Sequence, residues 1–311
     1  MERAPRIEPD PAFRTSFERE IGGNKLKSAA LATSVFFVLL ALMWVISSLY
    51  GGVASGFFFT IGLFFVLLYI SVSYFYGDQI VLSSVNANPL DTGTPKGKYV
   101  DSLVEGLCIA ARLPKPKIYV MESGEMNAFA TGRDPEHASI AYTSAILEKL
   151  DRAEIEGVTA HELSHVANYD VRFALFVAVM VGLIAIIAGM LQRSMWYGGG
   201  RRGEDRRGGN ALIVIFAFLL AIFAPIAVRL VQAAISRKRE FLADASGARL
   251  TSYPEGLASA LEKLARGNRG DMQVNEAVSH LFFADPLRSH LDDLFATHPP
   301  IEERIKLLRA M

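Results

Sequence analysis

The segment HELSH, residues 161–165, carries the residue types most suited to chemistry in this chain. On a helix, His161 and His165 stand four residues apart, on one face and one turn from each other. Two imidazoles so placed can both reach one tetrahedral metal ion, for which Zn²⁺ is the usual occupant. Glu162 is rotated by about 100° from His161, near enough to take a proton from a water at the metal without ligating it. This is the H-E-x-x-H arrangement of zinc metalloproteases. The surrounding sequence supports a helix over Asp151–Asp170, with Asp151 as its cap and Glu154 completing a capping box.

A catalytic zinc needs a third protein ligand and an open position. No third histidine follows HELSH at short spacing, so the candidates are a distant histidine or a carboxylate on a second helix. In EFLAD, Glu240 and Asp244 share one helix face at i, i+4. Glu240 is read as the ligand, and Asp244 as acceptor of a hydrogen bond from the far ring nitrogen of a ligand histidine. The competing reading pairs Glu240 with Arg237 or Arg239 on a solvated face. HELSH and the apolar segment that returns the chain just before Glu240 favour the ligand. Stabilising an oxyanion calls for a further donor. His298, in THPP, is the first candidate and Arg304 the second, with a solvated helix-start histidine as the alternative. Asn127, on the edge strand expected at Met126–Thr131, is a candidate to hold the backbone of an extended substrate. His137, His280 and His290 have no partner at ligand spacing and read as structural. The one cysteine, Cys108, reads as a small buried apolar residue.

These residues must be positioned by a chain of 311 residues that is 51% hydrophobic, with no net charge. Its mean hydropathy of +0.27 is high for a soluble chain. Zero net charge argues against nucleic acid as a partner, and a single cysteine excludes an internal disulfide framework. Residues 1–27 form a polar lead. Ser28–Tyr50 and Gly56–Tyr76 are uncharged runs of 23 and 21 residues, each long enough to cross about 30 Å of hydrocarbon. They define a transmembrane hairpin over 28–76. Lys25 and Lys27 before it, and Lys96 and Lys98 after it, place both flanks in the cytoplasm.

Residues 77–172 form the first half of a soluble domain. It contains a helix at Tyr99–Leu113, a strand at Lys117–Met121, and an antiparallel pair, Met126–Thr131 with Ala138–Thr143. The HELSH helix is expected to run straight into a second hydrophobic hairpin, 173–235, with apolar segments Phe173–Leu191 and Ala211–Val228. The glycine-rich linker Gln192–Asn210 holds five arginines against two acids. If both segments span, this linker lies outside, against the positive-inside rule. Insertion of both is the favoured reading, with the topology open. Residues 236–311 return to soluble character and supply the second half of the domain.

Four motifs in order, NAFATG, HELSHVANYD, REFLADASGA and THPPIEERI, together with the paired hydrophobic spans, resemble the HtpX family of membrane-bound zinc metalloproteases. That family is related to the type I CAAX prenyl proteases. The resemblance covers nearly the whole chain after Lys27. It implies a gluzincin-type zincin fold, mainly α with a small antiparallel sheet, attached to transmembrane helices. It further implies one Zn²⁺ held by His161, His165 and Glu240, with Glu162 as general base and His298 near the site. The implied activity is endoproteolysis of misfolded or damaged membrane proteins, or of unfolded polypeptide, at the cytoplasmic face of the plasma membrane. Two alternatives stand beside it. A prenyl-protein protease should have more spans enclosing a chamber, and a non-catalytic membrane scaffold would not need Glu162. A transporter is disfavoured because the spans lack charged residues.

Overall fold

The computed structural model describes residues 52–179, 237–270, 272–286 and 299–311, with isolated positions 22, 23, 26, 29, 30, 33, 36, 37 and 182. Most of the first hydrophobic segment lies outside the described residues. So do the linker 192–210, the segment 211–228, His290 and His298.

Helix α1 (Gly52–Ser84) has 33 residues and no charge in its first or last turn. Residues Phe59–Ser84 reach a mean hydropathy of 1.9 and are the one stretch among the described residues long and apolar enough to cross a membrane. At 1.5 Å per residue the helix is about 50 Å long, well beyond about 30 Å of hydrocarbon. It therefore extends past Tyr76, the expected end of the span. The two halves differ accordingly. Phe57, Phe64, Phe65, Leu67 and Leu68 are exposed, whereas Val81 and Leu82 are buried with Phe129, Leu175 and Phe282. The last turns of α1 thus belong to the core of the soluble domain.

Helix α2 (Pro95–Ala111) starts earlier than its apolar pattern suggests, because Thr94 caps it by accepting from Gly97 N–H and Pro95 fixes the first turn. Its buried face is Val100, Leu103, Val104 and Cys108. Four strands follow or flank it: β1 (Asn88–Pro89), β2 (Lys117–Met121), β3 (Ala128–Gly132) and β4 (Ala138–Thr143). The β3–β4 pair is antiparallel, as the turn-like GRDPEH between them requires. The sheet as a whole is mixed rather than antiparallel throughout. Its order is β1-β2-β4-β3, and β2 runs parallel to β4. The chain passes from β2 to the far edge, forms β3 there, and returns as β4 between the two.

Short helix α3 (Ser144–Lys149) leads into α4 (Arg152–Ala167), which carries HELSH. The capping box is present, with Asp151 accepting from Glu154 N–H at 3.0 Å and Glu154 accepting from Asp151 N–H at 2.8 Å. Eleven of its sixteen residues are buried, including Glu154, His161 and Glu162, so α4 is the central helix of the domain rather than a surface one. It does not run unbroken to Asp170. Asn168 and Tyr169 form a turn, Tyr169 takes a φ of 60°, and helix resumes at 170–179. That stretch packs along α1, with Tyr69 donating to the Val179 carbonyl at 2.8 Å and Leu175 filling the space beside Gly77.

Helices α5 (Arg237–Thr251), α6 (Pro254–Gly267), α7 (Glu276–Ser279) and α8 (Ile301–Leu308) complete the fold. Helix α5 approaches α4 closely at Gly247. A Cβ there would lie 2.9 Å from His161 N and 3.2 Å from His161 Cα. These contacts are backbone, so they cannot swing away, and the two helices carrying the candidate ligands meet at the one residue without a side chain. Gly247→Ala should therefore force α5 away from α4, lowering stability by about 1–3 kcal/mol. It should also lower the metal content of the purified protein, to be checked by thermal unfolding and metal analysis on one sample.

Candidate metal centre

His161 and His165 project from one face of α4 with their Nε2 atoms 3.1 Å apart. Two nitrogens bound to one tetrahedral zinc at 2.0–2.1 Å are separated by about 3.3 Å. The opposite nitrogens are both engaged by carboxylates: His161 Nδ1 with Asp244 Oδ1 at 2.9 Å, and His165 Nδ1 with Asp170 Oδ2 at 3.1 Å. When each Nδ1–H donates to its carboxylate, both Nε2 atoms present lone pairs to one another. That arrangement is repulsive unless a proton or a cation stands between them. Glu240, from the first turn of α5, brings Oε1 to 3.5 Å from His165 Nε2 and Oε2 to 3.8 Å from His161 Nε2. One donor atom from each of the three residues lies within 4.8 Å of the others. The donor set of two imidazoles and a carboxylate suits Zn²⁺.

The site is dry. His161, Glu162 and Glu240 are all buried, and the cavity they line is about 40 Å³, room for little more than an ion and a water. Burial pushes the His161 imidazole down to about 4, so it is neutral and able to ligate at pH 7. Burial acts in the same sense on His165. It is outweighed there by the hydrogen bond to Asp170 and the carboxylates of Glu240, Asp170 and Glu162, and the net result is about 9. The carboxylates around His165 thus call for positive charge, which a metal supplies by taking the proton's place.

Asp244 is held by Arg304. The guanidinium donates through Nε and Nη2 to both carboxylate oxygens at 2.8 and 2.7 Å, and through Nη1 to the Phe283 carbonyl at 3.2 Å. Burial raises the Asp244 carboxyl, but Arg304 and the His161 hydrogen bond outweigh it and hold it at about 2. This corrects the reading of Arg304 as a contact for the oxyanion or substrate. It is fully buried, with its donors on Asp244 and Phe283 and Nη1 also 3.9 Å from Glu240 Oε2, and it does not line the cavity.

Asn127 needs a similar correction. It is fully buried, and its side chain binds the chain's own backbone, donating to the Ala284 carbonyl at 2.7 Å and accepting from Ala284 N–H at 3.1 Å. Phe282 bridges to Phe129 and Phe283 N–H donates to the Ala128 carbonyl at 2.7 Å, so the start of the β3 edge is covered. The Ala128 carbonyl faces this segment and the Asn127 carbonyl faces Thr143 on β4. Antiparallel alternation then directs the N–H and C=O of Ala130 away from β4. Ala130 lines the cavity beside Leu281, and the Phe129–Phe282 bridge turns this edge of β3 toward the chain's own segment.

Glu162 lines the cavity beside both histidines. Three other cavity residues are not assigned to the site by the sequence, which reads His280 as structural. Asp170 falls off the ligand face on a continuous helix, Arg239 was weighed only as a partner for Glu240, and His280 stands 40 residues after Glu240 with no pattern to mark it. His280 Nε2 donates to the Ala174 carbonyl at 3.1 Å. Cys108 is buried, and burial pushes its thiol up to about 11, so it is chemically inert. Removing the guanidinium in Arg304→Ala leaves Asp244 charged and unpaired in the interior, at an expected cost of about 3–5 kcal/mol. Arg304→Lys should recover part of it, since one ammonium cannot reproduce the two-point contact. Denaturant titration of the three proteins checks the order.

Comparison with known proteins matches residues 95–311 to Peptidase family M48. "Protease HtpX homolog" of Thermoanaerobacter pseudethanolicus is 44% identical over 250 residues, covering 79% of this chain and 82% of that protein. "Protease HtpX homolog" of Dictyoglomus thermophilum is 41% identical over 301 residues, covering 95% of each. The crystal structure of S. mikatae Ste24p is similar with a TM-score of 0.48 and 20% identity, over 93% of this chain and 66% of that one. With the family match spanning well over half its length and the histidine pair and glutamate brought together in one cavity, this chain belongs to peptidase family M48 and is a metalloprotease.

Proposed function

We propose that this metalloprotease is a membrane-anchored, zinc-dependent endopeptidase that cleaves misfolded or damaged membrane proteins at the cytoplasmic face. The observation that carries the reading is the cavity in which His161, His165 and Glu240 converge beside Glu162. His161, His165 and Glu240 would hold one Zn²⁺, which when bound polarises the scissile carbonyl and acidifies a water. Glu162 accepts the proton of the attacking water and returns it to the leaving amine. Asp244 keeps the His161 ring oriented, and Arg304 keeps Asp244 charged. His298 is the proposed donor to the developing oxyanion. It stands six residues before Arg304 in the sequence, and its role follows the motif resemblance.

Membrane substrates are supported by how closely the site adjoins the apolar helix. Arg133, one residue beyond β3, donates to the Phe75 carbonyl on α1 at 3.2 Å and lies over the rings of Tyr74 and Phe75. The strand beside the cavity is thus fastened to α1 at Tyr74–Phe75, within its exposed apolar surface. With the domain halves 77–172 and 236–311 on the lysine-flanked side of the spans, the substrates are loops and termini emerging from the bilayer, or locally unfolded chains. The role in clearing damaged membrane proteins follows the motif resemblance.

The test compares the full-length wild type with Glu162→Gln in detergent, both zinc-loaded, on casein and on a membrane protein with a heat-unfolded cytoplasmic loop. Turnover should fall by about 10²–10⁴-fold in Glu162→Gln, with zinc still bound at one per chain. Chelation should abolish wild-type cleavage, and added zinc should restore it. Wild type that holds stoichiometric zinc yet cleaves neither substrate would contradict the proposal. Within the membrane protein, cuts should fall in the unfolded loop and be absent when that loop is folded.

A further inference from the structure

We infer that Asp170 is a positioning residue for the metal centre, fixing the His165 imidazole through Nδ1 while Arg239 fixes Asp170. The inference rests on the zinc reading above and concerns what makes His165 a ligand. On an unbroken helix Asp170, five residues after His165, would be rotated by about 140° from it. The break at Asn168–Tyr169 reverses this. Tyr169 adopts a φ of 60°, a left-handed conformation rarely taken by a bulky side chain, and the chain resumes with the Asp170 carboxylate 3.1 Å from His165 Nδ1.

The other carboxylate oxygen, Oδ1, lies 3.2 Å from Arg239 Nη1. Asp170 and Arg239 are 7% and 6% exposed, so this is no solvated surface pair. The Arg239 guanidinium is held in turn over the Phe173 ring at 5.0 Å. The result repeats the chain of contacts on the first ligand. His161 is backed by Asp244 and Arg304, and His165 by Asp170 and Arg239. In each, the carboxylate selects the tautomer that leaves Nε2 bare, and the arginine keeps the carboxylate charged and in place. The two chains differ in their anchorage. Arg304 belongs to the C-terminal helix, whereas Asp170 and Arg239 stand where the sequence enters and leaves the hydrophobic stretch 173–235. The His165 side of the centre is therefore held by contacts between the two ends of that stretch.

The experiment uses full-length protein in detergent and measures zinc affinity by chelator competition for wild type, Asp170→Ala, Asp170→Asn and Arg239→Gln. The zinc-induced rise in Tm and the kcat and KM on casein are measured on the same samples. Asp170→Ala should bind zinc about 10–100-fold more weakly, show a smaller zinc-induced rise in Tm, and at saturating zinc lose kcat with KM within about twofold of wild type. Asp170→Asn keeps an acceptor for Nδ1, so it should recover part of the affinity while staying at least about threefold weaker than wild type. Arg239→Gln should fall between Asp170→Asn and Asp170→Ala. Zinc affinity in Asp170→Ala within about twofold of wild type, with a lowered metal-free Tm, would show a purely structural role and overturn the inference. If Asp170→Ala does not fold, unchanged affinity in Asp170→Asn together with Arg239→Gln would overturn it. Failure of the wild type itself to bind zinc would instead count against the metalloprotease reading.

Discussion

Two imidazole nitrogens aimed at each other across 3.1 Å in a largely buried cavity are the constraint on which the rest of the structure depends. Neither can turn away, because each ring is held from behind by a buried carboxylate. Burial weakens solvent screening of the approach, and the nearest acidic groups add negative charge rather than relieving it. A divalent cation satisfies all of these groups at once. Burial pushes the His161 imidazole down to about 4, while at His165 burial is outweighed by the Asp170 hydrogen bond and the surrounding carboxylates, which drive it up to about 9.

Holding such an arrangement requires a stiff frame. Helix α4 is capped at its start by a reciprocal pair of hydrogen bonds and buried on nearly every side. Helix α5 comes close enough to place Glu240 only because Gly247 has no side chain. Two arginines without access to solvent, Arg239 and Arg304, each neutralise an aspartate that orients a ligand histidine. Removing one partner of such a pair leaves a charge stranded in the interior, so each pair is kept as a unit. The same frame reaches the long apolar helix, since α1 ends in the core that packs under β3.

The sequence was most legible where the signal was local and periodic. HELSH and EFLAD each put two functional side chains one turn apart, and a single helix is enough to bring them together. The capping box at Asp151 was legible for the same reason. Asp170 was hidden because its position depends on a turn at Asn168–Tyr169 that no glycine or proline announces. Residue type alone could not say which way Asn127 and Arg304 face. Both bind backbone or carboxylate as expected for their chemistry, but the groups they bind belong to this chain. The parallel β2–β4 pairing was also out of reach, because it is set by the order in which strands enter the sheet and not by their composition. Length misled at α1, where the uncharged run ends at Tyr76 while the helix continues to Ser84.

The most direct test of the account is X-ray absorption spectroscopy at the zinc edge on purified, full-length protein. The account predicts one zinc per chain, with two imidazole nitrogens at about 2.0 Å and the remaining positions filled by oxygen. The His161→Ala protein should lose that signature. A zinc shell without imidazole, or a protein that takes up no stoichiometric zinc while remaining folded, would contradict it.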